Sequence, residues 1–133
     1  MVELSGVSFG YQSDKNVLDN LNLRMEEGRF YGLLGMNGSG KTTLLKLIAG
    51  KLFAHGGEIY VDGRNLRERD VETLQKVFML PADFIFPNMS LEQFLAIYSE
   101  FYPEFRKEVL NDCLVNFEIR RDIEHLDKLS LGE

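Results

Sequence analysis

Eight consecutive residues, Gly35-Met36-Asn37-Gly38-Ser39-Gly40-Lys41-Thr42, have the types and spacing needed to hold a chain of phosphates. Gly35, Gly38 and Gly40 give the backbone conformations closed to residues with a Cβ. Successive N–H groups along Asn37, Gly38, Ser39 and Gly40 can therefore point into one concavity. A helix opening at this point adds unpaired donors and a partial positive charge. Lys41 supplies a full charge for β- and γ-phosphates, Thr42 a hydroxyl for Mg2+, and Thr43 a donor for an α-phosphate. The competing reading is a glycine-rich strand–helix turn with an incidental lysine. It must accommodate eight matched positions and correct flanks on both sides.

Those flanks are legible in the apolar pattern. Residues 2–8 read as a strand, and Phe9-Gly10-Tyr11 begins a polar loop that runs to Asn16. Leu21, Leu23 and Met25 alternate with polar residues, the pattern of a half-buried strand. Residues 30–34 form a nearly continuous apolar run, as expected of a strand buried on both faces just before the glycine loop. Residues 41–49 carry Leu44, Leu45, Leu47 and Ile48 at helical spacing, with Gly50 as C-cap. A strand over 58–61, an Asp62-Gly63 turn, a short helix over 71–76 and an apolar strand over 77–80 follow.

Beyond Pro81 the character changes. Phe84, Ile85, Phe86 and Pro87 make an apolar loop that fits the core of a lobe and a partner-facing surface equally well. Ser90 opens a helix with Gln93 placed to complete a capping box. Leu91, Phe94, Leu95, Tyr98 and Phe101 share one face of it, Pro103 breaks the pattern, and residues 105–117 read as a second amphipathic helix. The expected fold class is α/β: a P-loop NTPase core with a mixed sheet around the phosphate-loop helix, plus an α-helical lobe. The division is residues 1–81, the ATP-binding core with its phosphate loop at 35–42, and residues 82–133, the helical lobe.

Composition narrows the partners. The 133 residues are 44% apolar and 27% charged, with net charge -6, which argues against nucleic acid held on a broad basic surface. Cys113 is the sole cysteine, so no internal disulfide forms and a reducing cytosolic setting fits best. The N-terminus lacks a signal-peptide pattern, and no apolar run approaches the roughly 20 residues of a membrane helix. Direct membrane insertion is not expected. With one Cys and two His there is no metal-ligand cluster; His125 and the Arg120-Arg121 pair read as solvated.

Three further features sharpen the reading. Tyr11 lies about 30 residues before Lys41, where its ring can stack on adenine, and Val17 can flank ribose and base. About 90 residues beyond Lys41 comes Leu129-Ser130-Leu131-Gly132-Glu133. In that order these features make the whole chain resemble the nucleotide-binding domain of an ATP-binding cassette (ABC) protein. The pentapeptide is similar to the family's Leu-Ser-Gly-Gly-Gln signature, departing at Leu131 and Glu133. The resemblance implies ATP and Mg2+ as cofactors and adenine stacking at Tyr11. It implies a second nucleotide-binding domain in a head-to-tail dimer, with Ser130 and Gly132 reaching the γ-phosphate held by the other subunit. It also implies a transmembrane transporter subunit as partner and a cytoplasmic place at the inner face of the membrane. Ser130 as a simple helix cap is the bland alternative. The tract Glu100-Phe101-Tyr102-Pro103-Glu104-Phe105 is similar to bacterial exporter-type subunits.

Two departures from the family matter. Where it usually reads Pro-Gln, this chain reads Pro81-Ala82, and an alanine methyl can neither ligate a cation nor orient water. Asp83 is a candidate stand-in ligand for magnesium, offset by one residue. The sequence given stops within the signature region, before the family's Asp-Glu strand and switch histidine. The C-terminal part of the fold is then absent, and the chain alone is expected to be hydrolysis-deficient, with Lys41 its one catalytic group. The alternatives are a nucleotide-binding module without turnover, a soluble non-transport ABC ATPase, and an unrelated phosphate-loop kinase.

Overall fold

A computed structural model of the chain describes residues 1–82 and 84–129. It divides into two compact units, Met1–Met79 and Leu80–Glu133. The first holds a four-stranded sheet in the order β2-β1-β3-β4, made of β1 (Val2–Phe9), β2 (Leu18–Met25), β3 (Gly56–Val61) and β4 (Arg64–Asn65). Two helices accompany the sheet, α1 (Lys41–Ile48) and α2 (Val71–Gln75). The second unit holds α3 (Leu91–Tyr98) and α4 (Lys107–Asn116).

β1 reaches the core only because its pleat is reset partway. Leu4 and Val7 have opposite parity along a strand, yet both are buried, with Phe9. Between Ser5 and Ser8 the register against β3 slips by one residue, and Gly6 sits there at φ +60. This is a bulge, and it turns Val7 and Phe9 to the side already occupied by Leu4. Leu4, Val7 and Phe9 then join Ile59 and Val61 of β3, Leu66, and Leu44 and Leu47 of α1 in one cluster. The strands β3 and β4 are linked by Asp62-Gly63, both at positive φ (49° and 78°), a two-residue hairpin turn.

Helix ends follow local chemistry. The carbonyl ends of α1 are closed by Gly50 N donating to Leu47 O (3.0 Å) and Lys51 N to Lys46 O (2.9 Å). This is a Schellman motif; the cap residue is Ala49, and Gly50 is the left-handed residue after it. Asp70 caps α2 by accepting from Thr73 N, with Arg64 as its ionic partner. Ser90 and Gln93 make both bonds of the capping box on α3. Leu91 N donates to Ile123 O and Leu126 N to Met89 O, so the segment after α4 returns beside the start of α3. Within this unit Phe84, Phe86, Phe94 and Tyr98 form a continuous run of ring contacts at 4.9, 5.7 and 4.1 Å. Phe84 and Phe86 are half-buried in the lobe while Ile85 is 85% exposed. His125 is not merely solvated: its Nδ1 lies 3.0 Å from Asn88 Oδ1. Arg120 pairs with Asp122 on an exposed face.

Two expected strands are corrected. Residues 30–34 and 77–80 are irregular, and Phe30, Leu34, Phe78 and Leu80 are exposed. An apolar run becomes a strand only where a neighbour completes its ladder of N–H and C=O groups, and the strand pairings among the described residues involve neither run. Tyr31 is instead tied back to the preceding turn, its hydroxyl accepting from Glu26 N at 2.8 Å. Every described pairing between the strands is antiparallel, so the expected mixed sheet is represented by its antiparallel part. Among the described residues no helix is long and apolar enough to cross a membrane.

Candidate phosphate-binding site

The glycine loop ends directly on α1. Gly40 is the N-cap, at φ 89, and no side chain caps the helix start. The first helical bond from this cap runs from Leu44 N to Gly40 O, which leaves the N–H groups of Lys41, Thr42 and Thr43 without a carbonyl partner within the helix. No acidic residue sits in the first turn to neutralise them. A Cβ on Gly40 would lie 3.0 Å from Val17 Cγ1 and 3.1 Å from Leu18 Cδ2, at a φ that side chains avoid. Conformation therefore favours glycine there, and the Val17 and Leu18 methyls leave little room for a side chain.

Lys41 turns back into the loop. Its ammonium donates to Gly35 O at 2.8 Å and Met36 O at 2.7 Å, while Ser39 N donates to Met36 O at 3.2 Å. A Cβ on Gly35 would come within 2.7 Å of Ser39 Oγ and 3.9 Å of Lys41 Cδ, so that glycine keeps the turn open. An ammonium has three protons, and two are engaged with neutral carbonyls that phosphate oxygens outbid by charge. Asn37, Gly38, Ser39 and Thr42 are exposed around it. Among the described residues no group of three His, Cys, Asp or Glu could hold a metal ion. The exposed Thr42 hydroxyl is an oxygen donor of the kind magnesium accepts alongside waters and phosphate oxygens.

Tyr11, Val17 and Thr43 converge on the same place. The Tyr11 hydroxyl lies 3.2 Å from Thr43 Oγ1. Its ring stands edge-on to Phe9 (5.1 Å, 88°), and Phe9 in turn packs on His55 (5.1 Å). Val17 N donates to Phe9 O at 2.7 Å, and the Val17 side chain lies against Gly40. Tyr11 is nonetheless 63% exposed, so part of its ring is open to a planar partner.

Sequence reasoning passed over Phe9, which it placed at the start of a loop. It is the buried last residue of β1 and the support of the Tyr11 ring. The shared parity of Val7 and Phe9 was the available signal. Ala82 is exposed and brings no ligand atom of its own. Asp83, Ser130 and Gly132 lie outside the described residues.

Known proteins resemble this chain in sequence and fold. The ABC transporter family model matches residues 18–133. A Pyrococcus furiosus protein assigned as an ABC transporter ATP-binding protein is similar at 34% identity and a TM-score of 0.75, over 97% of this chain and 62% of that one. A dimeric ATP-binding cassette in a post-hydrolysis state, bound to ADP and phosphate, is similar at 25% identity and a TM-score of 0.75, over 99% and 64%. A bacterial Atm1-family exporter with ATP bound shares the fold at 22% identity and a TM-score of 0.78, over 98% of this chain and 25% of that one. The chain thus spans less than two thirds of the length of these structures.

Proposed function

The chain belongs to the ABC transporter family, and on that premise we propose that it is the ATP- and Mg2+-gripping part of a transporter's ATP-binding subunit. The observation that carries this reading is the Lys41 ammonium, held inside a glycine loop at the uncapped start of α1. In this reading Lys41 meets the β- and γ-phosphates and Thr42 meets magnesium. The N–H groups of Asn37, Gly38, Ser39 and Gly40 line the phosphates, Thr43 donates to the α-phosphate, and Tyr11 stacks on adenine beside Val17. Magnesium, held in part by Thr42, would supply charge neutralisation, and the chain's residues bind and orient the nucleotide. A second such domain, bridged head-to-tail through Ser130 and Gly132, and a transmembrane subunit are the proposed partners, at the cytoplasmic face of a membrane. The dimeric relative with ADP and phosphate supports the first partner, and the exporter relative supports the second.

Calorimetric titration with Mg-ATP tests the grip. Lys41→Ala should weaken binding at least tenfold, because charge-assisted hydrogen bonds contribute roughly 1.5–3 kcal/mol and tenfold is about 1.4 kcal/mol. Equal binding by both proteins would sink the proposal.

Binding without turnover is the proposed behaviour of the 133-residue chain by itself. Ala82 favours this second reading, since its side chain offers no atom to orient an attacking water. Phosphate release assayed with saturating Mg-ATP should stay at the level of the Lys41→Ala control. Release well above that control would contradict it.

A further inference from the structure

Tyr11 and Thr43 are 32 residues apart, yet their hydroxyl oxygens lie 3.2 Å from each other. Thr43 is 5% exposed and sits in the first turn of α1, directly beside the loop. The Tyr11 ring is held edge-on by Phe9, so its hydroxyl is anchored rather than swinging in solvent. Each hydroxyl has one proton and can accept as well as donate. In isolation either could be the donor. An ionised phosphate chain accepts and does not donate, so Thr43 can serve it only by giving up its own proton. Tyr11 must then be the donor within the pair.

We propose that the Tyr11 hydroxyl is a positioning residue for phosphate binding. It donates to Thr43 Oγ1 and leaves the Thr43 proton directed at the nucleotide's phosphates. This rests on the proposed function and adds to it, because it gives the Tyr11 hydroxyl a task separate from stacking by the Tyr11 ring. One side chain then serves both the base and the phosphates, and the phosphate grip depends on a residue outside the glycine loop.

The two tasks separate by ligand and by variant. Tyr11→Phe keeps the ring and removes only the hydroxyl. Its binding is measured by calorimetry to Mg-ATP and to Mg-tripolyphosphate, which has phosphates and no base. Tyr11→Phe should weaken both by a similar factor, about fivefold for one hydrogen bond of ordinary strength. In a Thr43→Val background Tyr11→Phe should have no further effect, and in a Thr43→Ser background the fivefold loss should return. Tyr11→Phe equal to wild type for both ligands, or weakened for Mg-ATP alone, overturns the inference. So does an undiminished loss in Thr43→Val, or none in Thr43→Ser. Failure of the wild type to bind Mg-ATP would instead remove the proposed function beneath it.

Discussion

The Asp62 carboxylate shows how one side chain can tie distant parts of the first unit together. It takes the Met1 amino group on one oxygen and the Lys76 ammonium on the other, the latter at 2.9 Å. The amino terminus first, and then Lys76, hold its pKa down from the ordinary 3.8 to about 2. Between those values the unfolded chain binds the proton and the native one does not. Native stability is therefore fully supported above about pH 4 and declines as pH falls towards 2. Asp62→Asn should flatten that part of an acid-unfolding curve followed by circular dichroism, and an unchanged acid limb would refute the assignment. The side chain is over a third exposed, so solvent screening keeps the effect small. Residue roles differ in how far sequence discloses them. Gly40 and Lys41 are legible because motif spacing encodes a local shape. The Tyr11–Thr43 contact and the press of Val17 on Gly40 join residues far apart in the chain, and no spacing rule reports them.

Among elements, helices were the more readable. Each carries its own instructions, as Ser90 and Gln93 do for α3 and Asp70 does for α2. Ser90→Ala should cost about 1 kcal/mol of helix stability, the usual value of an N-cap. Hydrogen exchange in the first turn of α3 should quicken about fivefold where exchange follows local opening. Unaltered exchange there would mean the cap is not limiting. Strands depend on partners, and there prediction divided. β1, β2 and β3 were expected within a few residues of where they lie. The runs at 30–34 and 77–80 have the composition of buried strands and take no part in the described sheet. Composition states what a strand would bury and is silent on whether a partner is present. The bulge at Gly6 was equally hidden, since it shows only when the register against β3 is compared on both sides.

For the molecule as a whole, the exposed apolar residues of the first unit set its solution behaviour. Phe30 and Leu34 are almost wholly accessible, more bare apolar surface than isolated surface residues on a monomer explain. The purified chain should self-associate as its concentration rises. Light scattering should show apparent mass falling towards the monomer's 15.3 kDa in a Phe30→Lys, Leu34→Lys double variant. A wild type that stays monomeric throughout would contradict this. The strand order β2-β1-β3-β4 has a different consequence, one of timing. β1 can zip to β2 as soon as both have left the ribosome, since only a short connection separates them. Its second ladder must wait until residues 26–55, which include the whole phosphate loop, have been synthesised and drawn into a ring. Closing that ring carries an entropic cost that grows with its length, and a ligand that orders the loop shortens the floppy part. On the proposed reading, a bound nucleotide is such a ligand, and it becomes a clasp that speeds the pairing of β1 with β3.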